Sequence, residues 1–239
     1  MATEVAPGIH RLGNERVNFY AVEEGGRLML VDAGLPGFLG QLDEFLGGRQ
    51  VEAVLLTHAH GDHVGIAERV RARGATVHVH EGDAEMARTA KQPPGERGMR
   101  RYFRYGATWT LLWMGLRNGG WRSVKIAEVS PFGDDAALDL PGSPVVVPVP
   151  GHSDGSVAFH FPDRGALIAG DALCTRNPLT GRDGPQLMPG AFSVSSEQAT
   201  ASLARLEPLE AGVLLVGHGD PWTGGVAAAV ARAREAGPS

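Results

Sequence analysis

Short apolar runs separated by turn residues recur along this chain, and most of them predict β-strands. The runs are rich in β-branched and aliphatic residues and lie at 9–12, 17–22, 28–31, 51–56, 76–80, 145–149, 156–161, 166–169 and 213–216. Apolar positions at helical spacing predict helices at about 38–46, 65–73, 195–206 and 226–236. The predicted elements form two similar β-rich halves, each with helices on its outside.

This order of elements predicts an α/β chain in which two mixed β-sheets face one another and helices cover both outer faces. The arrangement is a four-layer αββα sandwich, and we expect one domain over residues 1–239. The segment at about 82–122 is broken by Pro93-Pro94-Gly95 and then becomes helical. We expect this segment to be an insert that shapes a pocket and not a separate domain.

The insert carries two stripes on what the spacing predicts to be one long helix. The apolar stripe contains Tyr105, Trp109, Leu112, Trp113 and Leu116, and the basic stripe contains Arg97, Arg100, Arg101 and Arg104. The apolar stripe either packs against a sheet or forms a wall over a substrate site. The arginines either face solvent or bind an anionic group of a substrate.

Composition narrows the class of protein. The 239 residues include 43% hydrophobic and 21% charged residues, and the formal net charge of −5 disfavours a partner with a phosphate backbone. Cys174 is the only cysteine, which excludes an intrachain disulfide and a cysteine-rich zinc site, and we expect it to be a small buried residue. Because no export signal or membrane-length apolar run is present, we expect a cytoplasmic protein without nucleic-acid or membrane partners. The sequence leaves the oligomeric state open.

The strand predicted at 51–56 leads directly into Thr57-His58-Ala59-His60-Gly61-Asp62-His63. Neutral imidazole is the commonest protein ligand of transition metals, and a carboxylate suits a second, harder ion. Because side chains alternate along a strand, His58 and His60 are expected to share one ion. Gly61 allows a tight turn, after which Asp62 and His63 can face a neighbouring ion.

Three more candidate ligands, His152, Asp171 and His218, follow apolar strands further along the chain. Each has a glycine nearby, so any one of them alone fits an ordinary turn residue as well as a ligand. Their common position after strands indicates, together with the histidine cluster, a metal site on loops at one rim of a sheet. Asp32 ends the strand at 28–31, where it either forms a turn or orients a ligand by a hydrogen bond.

The cluster at 57–63 resembles the signature Thr-His-x-His-x-Asp-His of the metallo-β-lactamase-fold hydrolase superfamily. The resemblance extends from Asp32 to His218 and implies a position for every ligand. It assigns one ion to His58, His60 and His152, a second ion to Asp62, His63 and His218, and a bridging position to Asp171. It also implies that Asp32 supports the site from outside the ligand shell. The loop after His152 departs from the family, which often has Thr-Pro where this chain has Ser153-Asp154.

The resemblance implies a dinuclear hydrolase that holds two divalent ions, with zinc expected and iron or manganese as alternatives. In such a site a hydroxide that bridges the two ions attacks the substrate, and the ions stabilise charge on the carbonyl oxygen and the leaving group. Asp62 is expected to act as a catalytic residue by hydrogen-bonding the water. The expected substrate is a small molecule with an ester, thioester or lactone bond.

Particular residues narrow the branch of the superfamily. Asp171 stands where β-lactamases of this fold have a cysteine, and His63 completes a ligand set that they lack. The chain runs only about twenty residues beyond His218, so we expect no C-terminal helical region for glutathione.

Candidate substrate-binding residues come from two other segments. Lactonases bind the carbonyl with a tyrosine near the bridging aspartate, and since none follows it here, Tyr102 and Tyr105 of the insert are the candidates. The long loop at 173–193 is rich in glycine and proline and is an expected pocket wall. Arg176 in this loop is a further candidate, although an arginine there is as easily solvated.

Two functions of other classes also fit these residues. A mononuclear iron oxygenase of the persulfide dioxygenase type would use His58, Asp171 and either His60 or His152 as a facial triad. A non-catalytic metal-binding module would keep the ligands but show no turnover. Metal content with oxygen uptake tests the first alternative, and a broad ester and lactone screen tests the second.

Overall fold

The computed structural model describes residues 2–134 and 136–239. Seven strands form the first sheet in sequential order: β1 (Thr3–Ala6), β2 (Ile9–Gly13), β3 (Asn18–Glu24), β4 (Arg27–Val31), β5 (Ala53–Leu55), β6 (Thr76–His80) and β7 (Ser130–Phe132). Pairing is antiparallel from β1 to β4 and parallel from β4 to β7. Met1 and Asp135, which the single-domain prediction includes, lie outside the described residues.

The second large sheet has the strand order β13-β10-β9-β8. Its strands are β8 (Val145–Pro148), β9 (Val157–Phe161), β10 (Ala166–Gly170) and β13 (Val213–Val216). The β10–β13 pair is parallel and the other pairs are antiparallel. A separate hairpin consists of β11 (Cys174–Arg176) and β12 (Asp183–Gln186). Both large sheets are therefore mixed, as predicted.

Helices lie between these strands and after them. They are α1 (Leu39–Leu46), α2 (Ala67–Arg71), α3 (Ala84–Thr89), α4 (Gly106–Arg117), α5 (Ser196–Leu206) and α6 (Val226–Ala236). Short 3₁₀ turns occur at Pro36–Phe38, Glu81–Asp83, Met99–Tyr102 and Pro162–Arg164. Of the helices in the described part of the chain, none is long and apolar enough to cross a bilayer.

Alternation along the strands gives each sheet two apolar faces and so creates the four layers. On β4, Val31 belongs to the core between the two sheets, whereas Leu30 packs in the cluster that contains Leu42 of α1. On β10, Ile168 faces the first sheet, whereas Leu167 belongs to the cluster shared with α5 and α6. The predicted four-layer αββα sandwich is confirmed.

The single long helix predicted for the insert is wrong. The chain is extended at Tyr105 (φ −99°, ψ 132°), which separates the 3₁₀ turn Met99–Tyr102 from α4. The cause is tertiary, because Tyr102 is buried and its hydroxyl donates to the carbonyl oxygen of Ser239 at 2.9 Å. The hydroxyl of Thr108 donates to the carbonyl oxygen of Tyr102 and closes the turn. Most of the apolar stripe thus lies on α4, whereas the basic stripe lies before it, in and around the 3₁₀ turn.

Candidate metal centre

The loops that follow β5, β8, β10 and β13 meet at one rim of the sandwich and bring the predicted ligands together. Three groups of side chains place their ligand atoms within 4.8 Å of one another: His58, His60 and His152; His58, His63 and Asp171; and Asp62, His63 and His218. The parallel pairing of β10 with β13 explains part of this convergence, because Asp171 and His218 follow neighbouring strand ends.

Three imidazoles form the first group. His152 Nε2 lies 2.8 Å from His60 Nδ1 and 3.2 Å from His58 Nε2. Burial lowers the pKa of all three imidazoles below the usual range for histidine. At 2.8 Å the ring nitrogens His152 Nε2 and His60 Nδ1 either share a proton in a hydrogen bond or both direct their lone pairs at a cation. The group therefore offers neutral nitrogen donors that converge on one point, as a divalent transition metal requires.

Asp171 lies between this group and the second. Its Oδ2 is 3.4 Å from His152 Nε2 and 3.2 Å from His218 Nε2, and its Oδ1 is 3.4 Å from His63 Nε2. Asp62 Oδ2 completes the second group at 3.4 Å from His218 Nε2. One carboxylate is thus within reach of both groups of imidazoles.

The electrostatics differ between the two sides of Asp171. Burial opposes a charge on His63 and His218, but the nearby carboxylates together outweigh it and raise the pKa of both imidazoles; Asp171 and Asp62 act on both, and Asp32 also acts on His63. Burial likewise opposes a charge on Asp171, but His218 and His63 hold its pKa well below the usual range. In the absence of metal, the carboxylate of Asp171 thus favours protons on these two histidines, at the positions where a cation would otherwise balance its charge.

The outward-facing ring nitrogens are held by hydrogen bonds that aim the inner nitrogens at the centre. His63 Nδ1 lies 2.9 Å from Asp32 Oδ2, and the Thr57 hydroxyl also donates to Asp32. Because that hydroxyl proton is used, Thr57 Oγ1 accepts from His58 Nδ1 at 3.0 Å. This tautomer leaves the Nε2 lone pair of His58 free for a metal.

The remaining ligands are held in similar ways. His152 Nδ1 lies 3.3 Å from Ser193 Oγ, and His218 Nδ1 donates to the carbonyl oxygen of Arg16. Asp32 itself has a left-handed backbone (φ 61°), a conformation that costs a non-glycine residue about 1–3 kcal/mol. Hydrogen bonds from Thr57 N to Asp32 Oδ1 and from Asp32 N to Leu55 O hold it there. Asp32 is thus positioned to orient His63, which is the second of the two roles that the sequence left open for it.

Asp83, which was not predicted from the sequence, is a buried residue that joins two of the ligand loops. Its Oδ2 accepts from the backbone N of Ala59 and from Ser153 Oγ, both at 2.8 Å, and its Oδ1 accepts from Gly155 N at 2.9 Å. Ala59 lies between His58 and His60, and Ser153 follows His152. A usable signal was present, because Gly82-Asp83 follows a strand just as Gly170-Asp171 does.

Close packing around the ligands explains two glycines. A Cβ atom on Gly217 would lie 2.2 Å from Asp171 Oδ1 and 2.6 Å from His63 Cε1. Gly170 has φ +51°, and a Cβ there would lie 2.4 Å from Thr57 Oγ1. Only glycine lets these strand ends approach the site so closely.

Two buried atoms test whether the site fits a metal. In the described part of the chain, His63 Nε2 and Asp171 Oδ1 are among the buried polar atoms that lack a hydrogen-bond partner. A buried polar atom without a partner costs free energy, and both of these atoms face the centre of the site. A cation between them would satisfy both, so the donor set fits a divalent metal.

A cavity of about 570 Å³ opens above this centre. Helix α4 contributes Leu111, Leu112, Gly115 and Leu116 to its lining, and the loop after β12 contributes Met188, Ala191 and Phe192. Of the two interpretations of the apolar stripe, Leu112 and Leu116 fit a pocket wall, whereas Trp109 and Trp113 point away into solvent. The segment at 173–193 forms part of the wall, as expected, but it contains the β11–β12 hairpin and contributes to the wall only through residues after β12.

The three candidate substrate-binding residues, Tyr102, Tyr105 and Arg176, are not among the residues that line this cavity. The Tyr102 hydroxyl is used by Ser239, and the Tyr105 hydroxyl accepts from Arg104 at 2.7 Å. Arg176 lies instead at a separate hollow and pairs with Asp183 at 3.1 Å. The three residues therefore lie outside the cavity lining, and their role in substrate binding stays a prediction. Cys174 is buried, which raises the pKa of its thiol well above the usual range.

Comparison with known proteins agrees with this architecture. A probable metallo-hydrolase, YflN of Bacillus subtilis (strain 168), is 29% identical over 242 residues, which cover 92% of this chain and 87% of that protein. A crystal structure of the metallo-beta-lactamase family protein TTHA1429 from Thermus thermophilus is similar with a TM-score of 0.66 and 28% identity, covering 95% and 78% of the two chains. The crystal structure of TTHA1623 in a di-iron-bound form has a TM-score of 0.59 and 30% identity, covering 89% and 92%. Residues 12–218 match the family model of the metallo-beta-lactamase superfamily, and the chain belongs to that superfamily.

Proposed function

We propose that this chain is a dinuclear metal-dependent hydrolase of small esters, thioesters or lactones. The observation that carries the proposal is the position of Asp171, whose carboxylate lies within 3.4 Å of both His152 and His218. A carboxylate placed in this way can bridge two ions. The similarity to a probable metallo-hydrolase supports hydrolysis as the reaction class.

The ligands divide between two ions. His58, His60 and His152 would hold the first ion, Asp62, His63 and His218 would hold the second, and Asp171 would contact both. When bound, two divalent ions would acidify a water molecule into a nucleophile and polarise the carbonyl group that it attacks. Asp62 lines the cavity, and we assign its carboxylate the role of orienting this water through a hydrogen bond.

The cavity supports an uncharged acyl group as the part of the substrate that it binds. Its lining, within residues 2–134 and 136–239, includes no lysine or arginine, and its walls are mostly aliphatic or aromatic. Such a wall stabilises hydrocarbon and offers no cation to a carboxylate. We therefore expect the enzyme to prefer apolar acyl groups to anionic ones.

We also propose which metal the site holds. Imidazole and carboxylate ligands suit zinc, iron and manganese alike, so that availability decides occupancy. The di-iron form of the similar structure supports iron as the competitor of zinc. We propose zinc as the resident metal because histidines supply most of the ligands here.

Elemental analysis of freshly purified protein, combined with a panel of neutral acyl substrates, tests the proposal. We expect about two metal ions per chain and turnover of esters, thioesters or lactones. An Asp171→Asn variant should keep the fold but lose metal and activity, whereas Asp183→Asn, at an exposed position of the β11–β12 hairpin, should change neither. A single iron per chain with oxygen uptake would instead establish the mononuclear oxygenase. Full metal loading without any turnover would leave a non-catalytic metal-binding module.

A further inference from the structure

An exposed apolar surface lies on and around α4. It consists of six side chains, Phe103, Trp109, Leu112, Trp113, Leu116 and Trp121, which we call the aromatic surface. In the rest of the described chain, Val145 is the only other large hydrophobic side chain exposed to this degree. The three indole side chains are 57%, 58% and 67% exposed. Indoles are large and mostly apolar, so exposing three of them together to water is unusual.

The same segment is strongly basic. Residues 97–127 contain seven of the chain's 22 lysines and arginines and none of its 27 acidic residues, although the whole chain has a net charge of −5. The guanidinium groups of Arg117 and Arg122 lie 4.8 and 5.1 Å from the ring centres of Trp113 and Trp121. Positive charge therefore surrounds the aromatic surface and lies close to its rings.

We propose that the aromatic surface docks this protein on an anionic lipid surface. Tryptophan prefers the headgroup level of a bilayer, where its ring is in apolar surroundings and its N–H remains hydrated. Leu112 and Leu116 gain from hydrocarbon just below that level, and the arginines gain from anionic headgroups. A single partner thus satisfies both the apolar and the basic character of the segment.

The charge and the apolar character of the surface disfavour two other partners, a second copy of this chain and a single-stranded nucleic acid. A second copy of this chain would bring two equally basic surfaces together across a twofold axis, where they would repel. A single-stranded nucleic acid would stack on the indoles and pair with the arginines, but it offers nothing apolar to Leu112 and Leu116. The mixture of aliphatic, aromatic and basic side chains favours lipid over both.

The docking surface and the cavity are continuous. Leu112, Leu116 and Trp121 belong to the aromatic surface and also line the cavity above the candidate metal centre. A protein docked through this surface would therefore open its cavity towards the lipid. The proposal departs from the expectation, drawn from the net charge and the absence of a spanning segment, that the protein has no membrane partner.

Co-sedimentation of the metal-loaded full-length protein with vesicles tests the proposal. We expect binding to vesicles of equal parts phosphatidylcholine and phosphatidylglycerol, and much weaker binding to phosphatidylcholine alone. The double variants W109S/W113S and R117E/R122E should each lower the partition coefficient at least about tenfold. Both pairs are exposed and lie outside the cavity lining, so thermal unfolding and metal content should stay unchanged.

Matched controls separate this surface from general effects of charge and exposure. V145S removes an exposed apolar side chain elsewhere, and R69E/R88E makes the same charge change on α2 and α3. These variants should bind vesicles like the wild type. Equal binding to neutral and anionic vesicles, or binding that survives W109S/W113S, would overturn the proposal. So would a dimer, or a complex with a single-stranded oligonucleotide, that W109S/W113S abolishes while no vesicle is bound.

Discussion

The carboxylate of Asp83 accepts a hydrogen bond of 2.8 Å from the backbone N of Ala59, the residue between two candidate metal ligands. The same carboxylate also holds Ser153 and Gly155 in the loop that follows His152. Two loops from different sheets are thus tied to one buried side chain that does not belong to any of the candidate ligand groups. Residues that fix ligand loops in this way affect metal affinity without contacting the ion.

Replacing Asp83 with alanine should weaken the site and the fold together. Three buried donors would lose their acceptor, which should lower the free energy of unfolding by about 2–4 kcal/mol. Metal affinity should fall about 10–100-fold because His58, His60 and His152 lose their common anchor. Urea unfolding and competition with a chelator measure the two effects. The exposed neighbour Glu81→Gln is the control, and unchanged affinity in Asp83→Ala would show that the loops hold their positions independently.

Gly217→Ala should displace the candidate ligands Asp171 and His63. Its Cβ would overlap Asp171 Oδ1 and His63 Cε1, so the backbone after β13 must shift at a cost of about 1–3 kcal/mol. The displaced ligands should also lose metal, which elemental analysis detects. Gly212→Ala is the matched control, because the nearest atom to its added Cβ lies 4.0 Å away. Equal metal content in the two variants would contradict the packing argument.

Metal binding should release protons from the metal-free protein. The pKa values of His63 and His218 are raised above their ordinary 6.5, because Asp171 and the other nearby carboxylates together outweigh the opposing effect of burial. Raised pKa values favour protons on both histidines, and a metal must displace these protons, so affinity at the second ion should rise as the pH increases above 6.5. The first ion should depend less on pH, because burial lowers the pKa values of its ligands His58, His60 and His152.

Calorimetric titration in two buffers of different ionisation enthalpy measures this proton release. An Asp62→Ala variant isolates the first ion, and a His60→Ala variant isolates the second. On binding metal, the His60→Ala variant should release more protons than the Asp62→Ala variant. Equal release from both would contradict the assignment of protonated histidines to one side of Asp171.

Gly115→Leu should shorten the acyl group that the cavity accepts. Gly115 lines the cavity on α4, and a Cβ there would meet no atom within 4 Å, so a leucine side chain can extend into the open space. The kcat/KM for long acyl chains should fall about tenfold or more, whereas that for acetyl substrates should change little. Helix propensity favours leucine over glycine, so stability should not fall.

Kinetics across a series of acyl lengths test this expectation. Gly106→Leu provides the matched control, because Gly106 lies on the same helix with open space around it but outside the cavity lining. A uniform loss of kcat/KM at every acyl length in Gly115→Leu would mean that the substitution disturbs the metal centre. In that case the cavity wall would have no role in selecting the acyl group.

Much of the fold and the candidate ligands could be predicted from local sequence. The strands at 76–80 and 213–216 and the helix at 226–236 agree with the structure residue for residue, because each is a strongly patterned segment with clear ends. Strands β1, β7, β11 and β12 were not predicted. They have three or four residues each, and so short a segment carries too little pattern to distinguish it from a loop.

By itself, the sequence determined the alternation of strands and helices and the positions of the metal-ligand candidates after strand ends. Both are local properties, since side-chain period and ligand chemistry are carried by neighbouring residues. Only the tertiary structure decided that Asp83 ties two loops together, that Tyr102 turns away from the cavity and that the insert breaks at Tyr105. These features depend on hydrogen bonds between residues far apart in sequence, whose partners no local pattern specifies.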